Sequence, residues 1–209
     1  MKTLLLVGAT GLVGQSVLQQ ALTNSQVAKV VALTRRSLPE HAKLENPLVD
    51  FDCLPADAPW WKADAVICTL GTTLAQAGSR DAFRTVDRDY PLAVATLAQA
   101  HGTSVFALNS AMGADPHSRL FYNRTKGEVE QALAELGFSS LTLVRPGLIG
   151  GARAKLRLAE FVSVHLLSAL GPILPRRYRV VPAARIAGAL LEAAIGARRG
   201  RQIIESEAL

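Results

Sequence analysis

Ser110, Tyr122 and Lys126 are the residues of this 209-residue chain whose types and spacing could carry chemistry. Tyr122 and Lys126 lie four apart in a stretch with helical periodicity, so they share one face of a helix. Ser110 follows an apolar strand and precedes Tyr122 by 12 residues. A free tyrosine titrates near ~10 and needs a neighbouring cation before it can act as a base at neutral pH. Lys126 supplies that charge and could also hold a ribose. Ser110 would hydrogen-bond a substrate carbonyl or alcohol oxygen and so fix it beside the tyrosine. The three residues together suit proton transfer to or from a carbon–oxygen bond whose carbon gains or loses a hydride.

A hydride carrier needs its own site, and the start of the chain offers one. Lys2-Thr-Leu-Leu-Leu-Val-Gly-Ala-Thr-Gly-Leu-Val-Gly14 is a short β-rich run ending in three glycines, Gly8, Gly11 and Gly14, after which Gln15 to Leu22 has a helical pattern. Glycine is needed where the backbone must turn sharply, approach a pyrophosphate and let helix and strand pack. Free N–H groups of the turn and the helix start, from Thr10, Gly11, Leu12 and Val13, then face the negative charge. The spacing G-x-x-G-x-x-G departs from the commonest dinucleotide fingerprint, so the strand-to-helix context carries the inference. A signal peptide is the competing reading. It fails because the apolar stretch is short, broken by glycines and followed by a polar helix.

The elements that must position these residues alternate along the chain. Strands are expected near Thr3–Val7, Lys29–Leu33, Leu48–Phe51, Ala65–Leu70, Ser104–Leu108 and Ser140–Val144, with a late one at Gln202–Glu205. Helices are expected near Leu12–Leu22, Ala82–Ala100, Tyr122–Leu136, Leu156–Leu170 and Arg185–Ile195. Such alternation predicts an α/β fold: a doubly wound, mostly parallel sheet with helices on both faces. The whole of residues 1–209 reads as one domain, with 151–182 forming a small substrate-pocket or lid region.

In that fold ligands sit outside the carboxyl ends of the strands. After the second strand comes Thr34-Arg35-Arg36, where arginine in place of an acidic residue can pair with a 2′-phosphate. That predicts NADP(H) in preference to NAD(H). Asp50 and Phe51 would meet an adenine edge and face. Leu70-Gly71-Thr72 would let the cofactor lie against the backbone.

Composition limits the alternatives. Hydrophobic content of 49% supports a buried sheet, and no apolar run is long enough to span a bilayer. Cys53 and Cys68 read as reduced thiols, and His41, His101, His117 and His165 lack ligand spacing, so no metal site is expected. The net charge of +6 comes from clusters scattered in sequence without interleaved aromatics, which argues against nucleic-acid binding. The apolar face within Leu156 to Leu174, preceded by Arg153, Lys155 and Arg157, reads as a core helix and pocket wall rather than a membrane anchor. An exposed remnant of it would mediate dimerisation.

The glycine turn, Ser110, Tyr122, Lys126 and Arg145-Pro146-Gly147 follow the order found in atypical short-chain dehydrogenases/reductases, which the chain resembles. Within that superfamily it is similar to the Tat-interacting-protein-like oxidoreductases through Leu70-Gly71-Thr72-Thr73, Ala77-Gly78, Val86-Asp87-Arg88-Asp89-Tyr90, Gly113-Ala114-Asp115 and Lys126-Gly127-Glu128-Val129-Glu130. The resemblance runs from Lys2 to Gly150 and implies that Pro146, Gly147, Leu148 and Ile149 line the nicotinamide of NADP(H). Two departures stand out. Asp87 occupies a position where many relatives place asparagine, which argues against a proton relay through an asparagine there. Ala111-Met112 replaces a second serine and a lysine, leaving Ser110 as the serine candidate of its turn.

These readings converge on a cytoplasmic NADP(H)-dependent oxidoreductase acting on a small-molecule substrate. The alternative is an NADPH-binding regulator that controls a protein partner.

Overall fold

The computed structural model describes residues 1–150, 177 and 179–209. Among them nine strands form: β1 (Lys2–Val7), β2 (Val27–Leu33), β3 (Leu44–Glu45), β4 (Ala65–Cys68), β5 (Val105–Asn109), β6 (Ser140–Arg145), β7 (Ile149–Gly150), β8 (Val181–Pro182) and β9 (Gly200–Glu205). Seven of them make one sheet in the order β3-β2-β1-β4-β5-β6-β9, and every pairing is parallel. The order reverses on either side of β1 and β4. β7 and β8 pair separately, also in parallel.

The period-two side-chain alternation of strands divides the core into two layers. Leu4 and Leu6 of β1 face one layer, and Leu5 and Val7 face the other. The first layer is closed by α1 (Leu12–Thr23), through Val13, Val17 and Ala21, and by the helix Ala183–Gly196, through Ile186, Ala187, Leu190 and Ala194. Among the described residues four further helices lie between them in sequence: α2 (Leu74–Ala77), α3 (Arg80–Arg84), α4 (Tyr90–Ala100) and α5 (Phe121–Glu135), so Ala183–Gly196 is numbered α6. The second layer is closed by α4, through Val94, Ala95 and Ala98, and by α5, through Val129 and Leu133. The doubly wound sheet expected from the alternation is thus the observed fold.

Two elements differ from the expectation. The third strand lies at Leu44–Glu45 and not at Leu48–Phe51, of which one bridge, Thr34 to Leu48, remains. Pro47 has no N–H to give to a ladder, and the Asp50 carboxylate accepts the Asp52 N–H at 3.0 Å, curling the chain into a turn. The helix expected over Ala82–Ala100 is interrupted by a π-helical turn at Thr85–Asp89. Pro91 follows it and lacks the N–H that an α-helix would direct to the Asp87 carbonyl, so the break falls where the backbone ladder is already one bond short. The helix expected over Leu156–Leu170 lies outside the described residues.

Candidate active site

Because the main sheet is parallel, Gly8, Thr34, Thr69 and Ser110 all leave their strands at one edge. Gly8 turns the chain with φ +87°, a backbone region that favours glycine. A Cβ there would stand 2.6 Å from the Thr69 carbonyl carbon and Oγ1, and one on Gly14 would stand 2.0 Å from the Gly8 carbonyl oxygen. Gly14 is therefore fixed by helix-to-turn packing. Gly11 is the residue before α1; its N–H donates to the Gly8 carbonyl at 2.9 Å, and a Cβ there would sit 3.3 Å from that oxygen. Leu12 and Val13 pack inward on the α1 layer.

An open cleft lies beside this turn. Its floor is Gly8, Ala9 and Thr10, one wall is Thr34, Arg35 and Arg36, and the other is Phe51, Leu70, Val86 and Tyr90. Both arginines are exposed. Their loop is held from below: the Thr34 hydroxyl donates to the Arg36 carbonyl at 2.6 Å. Asn46 donates to Thr34 Oγ1 at 2.8 Å and accepts the Leu38 N–H at 2.7 Å. The Phe51 and Tyr90 rings pack at 5.4 Å, and the Tyr90 hydroxyl donates to Asp52 at 2.7 Å. Burial first, and then the Asp52 bond, push the Tyr90 phenol up to about 12. Asp50 spends its carboxylate on the local turn, and Asp52 ties the aromatic wall.

The second cluster sits where α5 starts. Tyr122 packs its ring 5.6 Å from the fully buried Phe83 and remains 38% exposed. Lys126, one turn along, is buried and forms a 2.7 Å ion pair with Asp87 Oδ1, while Asp87 Oδ2 accepts the Thr72 N–H at 2.7 Å. Gly71 lies against the pair: a Cβ on it would be 3.4 Å from Asp87 Oδ1 and 3.7 Å from Lys126 Nζ. Burial pulls the Lys126 ammonium down, but Asp87 and Tyr122 together outweigh it and leave it raised. The Tyr122 phenol is raised by burial, lowered by Lys126 and raised again by Asp87, with a net rise. The lysine was expected to bring the tyrosine down. Its effect is offset by burial and by the carboxylate that the asparagine-to-aspartate departure introduces.

Ser110 is buried, and its hydroxyl contacts Glu130 Oε1 at 2.5 Å. Glu130 also receives two N–H bonds from Arg145, at 2.5 and 3.0 Å, so its oxygens act as acceptors in this network. Ser110 is therefore the donor, and its proton is engaged within the protein. Arg145 reaches Glu205 as well, at 3.1 Å, so the network ties the ends of β5, β6 and β9 to α5. Pro146 accepts the Met112 N–H at 2.9 Å, Gly147 donates to the Ser206 hydroxyl at 3.1 Å, Leu148 is 43% exposed, and Ile149 enters β7. Beside Ser110 the Asn109 side-chain oxygen is buried without a hydrogen-bond partner.

The residues present fit a bound dinucleotide. Cβ atoms would obstruct the glycine turn, the cleft pairs a cationic wall with an aromatic one, and an unpartnered acceptor lies at the end of β5. Val86 and Tyr90, which line the cleft, carry a readable signal in their four-residue spacing on a helical segment. Asn46 and Glu130 had no such signal, since their partners are distant in sequence.

Fold and site together define a nucleotide-binding α/β protein of the Rossmann type. A family model described as NAD(P)H-binding matches residues 8–150, and the chain belongs to that family. It is 34% identical over 182 residues to the protein fmp52, mitochondrial, of Emericella nidulans, covering 83% of this chain and 78% of that protein. It is 34% identical over 214 residues to the protein HTATIP2 of Rattus norvegicus, covering 100% of this chain and 88% of the relative. Among solved structures, MoeE5 in complex with UDP-glucose and NAD aligns with a TM-score of 0.74 at 17% identity, over 96% of this chain and 74% of that one. A short chain dehydrogenase family protein from Francisella tularensis aligns with a TM-score of 0.69 at 14% identity, over 100% and 98%. At such identities these structures speak for the fold.

The relatives correct one expectation. Fungal relatives, including those of Emericella nidulans and Eremothecium gossypii, carry "mitochondrial" in their names, which overturns the cytoplasmic location inferred from the sequence. No helix among the described residues is long and apolar enough to cross a membrane.

Proposed function

We propose that the chain is an NADP(H)-dependent oxidoreductase that transfers hydride to or from a small carbonyl, alcohol or activated double-bond substrate. The observation that carries this reading is the placement of Tyr122 above a buried, charged Lys126 at the carboxyl edge of the sheet, the edge that also holds the glycine turn. A bound nicotinamide would supply the hydride chemistry there. Arg35 and Arg36 would hold the 2′-phosphate, Phe51 and Tyr90 would flank the adenine, and Lys126 would meet the nicotinamide ribose with N–H bonds beyond its Asp87 contact. The loop from Pro146 to Ile149 would line the nicotinamide. Tyr122 would pass the proton to or from the substrate oxygen. Ser110 would reach that oxygen only by exchanging its Glu130 bond, so its contribution is better read as support for the strand end than as a donor to substrate.

That engaged serine favours a second reading, an NADPH-responsive regulator with little turnover, because a sensor needs the cofactor cleft but no spare donor beside the tyrosine. A homodimer or a protein partner would be the target of such control. A screen of aldehydes, ketones and enones for consumption of NADPH, comparing wild type with Tyr122→Phe, separates the two. The enzyme reading expects turnover that the variant loses while keeping NADPH binding. Binding with no turnover across the screen would support the regulator.

A further inference from the structure

Asp87 stands in the middle of the catalytic cluster with its carboxylate fully enclosed. The π-helical turn directs it inward, where it is 1% exposed, and both oxygens are engaged: one on the Thr72 N–H at 2.7 Å, the other on Lys126 at 2.7 Å. An asparagine could keep the Thr72 bond, so backbone geometry alone does not call for a charge. The aspartate adds a compensating negative charge under the tyrosine. Among the described residues, the charged and titratable groups that bear on Tyr122 and Lys126 are Asp87 from the π-turn and, beside Lys126, the Cys68 thiol from β4. Burial pushes that thiol up to about 12, so it is uncharged at neutral pH.

We propose that Asp87 is a positioning residue that neutralises Lys126 and so keeps Tyr122 as a phenol, biasing the site toward proton donation and carbonyl reduction. In that direction the phenol O–H bond breaks, its proton goes to the substrate oxygen, and hydride from NADPH forms the new C–H bond as NADPH is oxidised. The reverse reaction needs the phenolate, a minor species at neutral pH when the charge beneath it is balanced. The inference deepens the reductase reading and rests on it for its consequence, but the electrostatic claim is measurable without turnover.

The test is an ultraviolet titration of the Tyr122 phenolate in the intact protein, taken as the difference from Tyr122→Phe, with folding followed by circular dichroism. Asp87→Asn should move this titration to lower pH, and the alkaline fall in NADPH-dependent reduction should move with it. In a Lys126→Met background, which leaves Asp87 uncompensated, adding Asp87→Asn should again lower the titration. That comparison stands even if Asp87→Asn alone does not fold, because the double variant buries no charge at either position. A titration that Asp87→Asn leaves in place in both backgrounds would overturn the proposal. A lowered titration with no reductase activity in any variant would leave the electrostatic coupling intact and sink the enzyme reading instead.

Discussion

Removing the charge of Glu130 should cost the fold more than any change on the surface of α5. Glu130 is 2% exposed and is met by Arg145 through two N–H bonds, at 2.5 and 3.0 Å, and by the Ser110 hydroxyl at 2.5 Å. Glu130→Gln keeps the shape and one acceptor but leaves Arg145, itself 17% exposed, with Glu205 as its remaining carboxylate at 3.1 Å. Breaking a buried pair by neutralising one partner costs about 3–5 kcal/mol. Glu205 and partial solvation of Arg145 place this case at the low end, about 3 kcal/mol. For a domain of this size each kcal/mol lowers the melting temperature by about 2–4 °C, giving a drop of roughly 6–12 °C. Thermal unfolding by circular dichroism reads it directly. Ser110→Ala, which removes one hydrogen bond of the network, should cost about 1 kcal/mol and roughly 2–4 °C. A Glu130→Gln melting temperature within about 2 °C of wild type would refute the claim that this network clamps β5, β6 and β9 to α5.

Gly14 and Gly127 should tolerate alanine poorly. Gly14→Ala places a methyl 2.0 Å from the Gly8 carbonyl oxygen, against backbone that cannot step aside, so the turn must shift. Overpacking of this kind costs about 1–3 kcal/mol, and NADPH affinity should fall along with stability in a fluorescence titration. Gly127→Ala brings a methyl within 2.1 Å of the Asp115–Pro116 peptide and should lower the melting temperature by a similar mechanism. In contrast Gly196→Ala, which meets nothing within 4 Å, should leave the melting temperature nearly unchanged.

The parts legible in the sequence were those whose signal is local. Gly8 and Gly14 announce a strand-to-helix turn by standing between a β-rich run and a helical pattern, and Tyr122 and Lys126 announce a shared helix face. The third strand was misplaced because Val49 and Phe51 are apolar for a reason other than pairing: Phe51 walls the cleft, and Pro47 keeps the segment out of the ladder. Ser110 could be placed at a strand end from its neighbours, but its engagement could not. Its partner is 20 residues away on α5, and Glu205, which completes the network, is 60 residues beyond Arg145. Asp87 was visible as a departure from asparagine, while the charge it balances became apparent only when the π-turn brought it to Lys126.

The claim on which the rest depends is that a phosphorylated nicotinamide dinucleotide lies in the cleft between the glycine turn and Arg35-Arg36. Fluorescence titration of the wild-type protein with NADPH and with NADH, repeated on Arg35→Ala and Arg36→Ala, tests it most directly. NADPH should bind more tightly than NADH, with a preference that shrinks in at least one arginine variant while NADH affinity holds. Equal affinities for the two cofactors in wild type, unchanged in both variants, would contradict it.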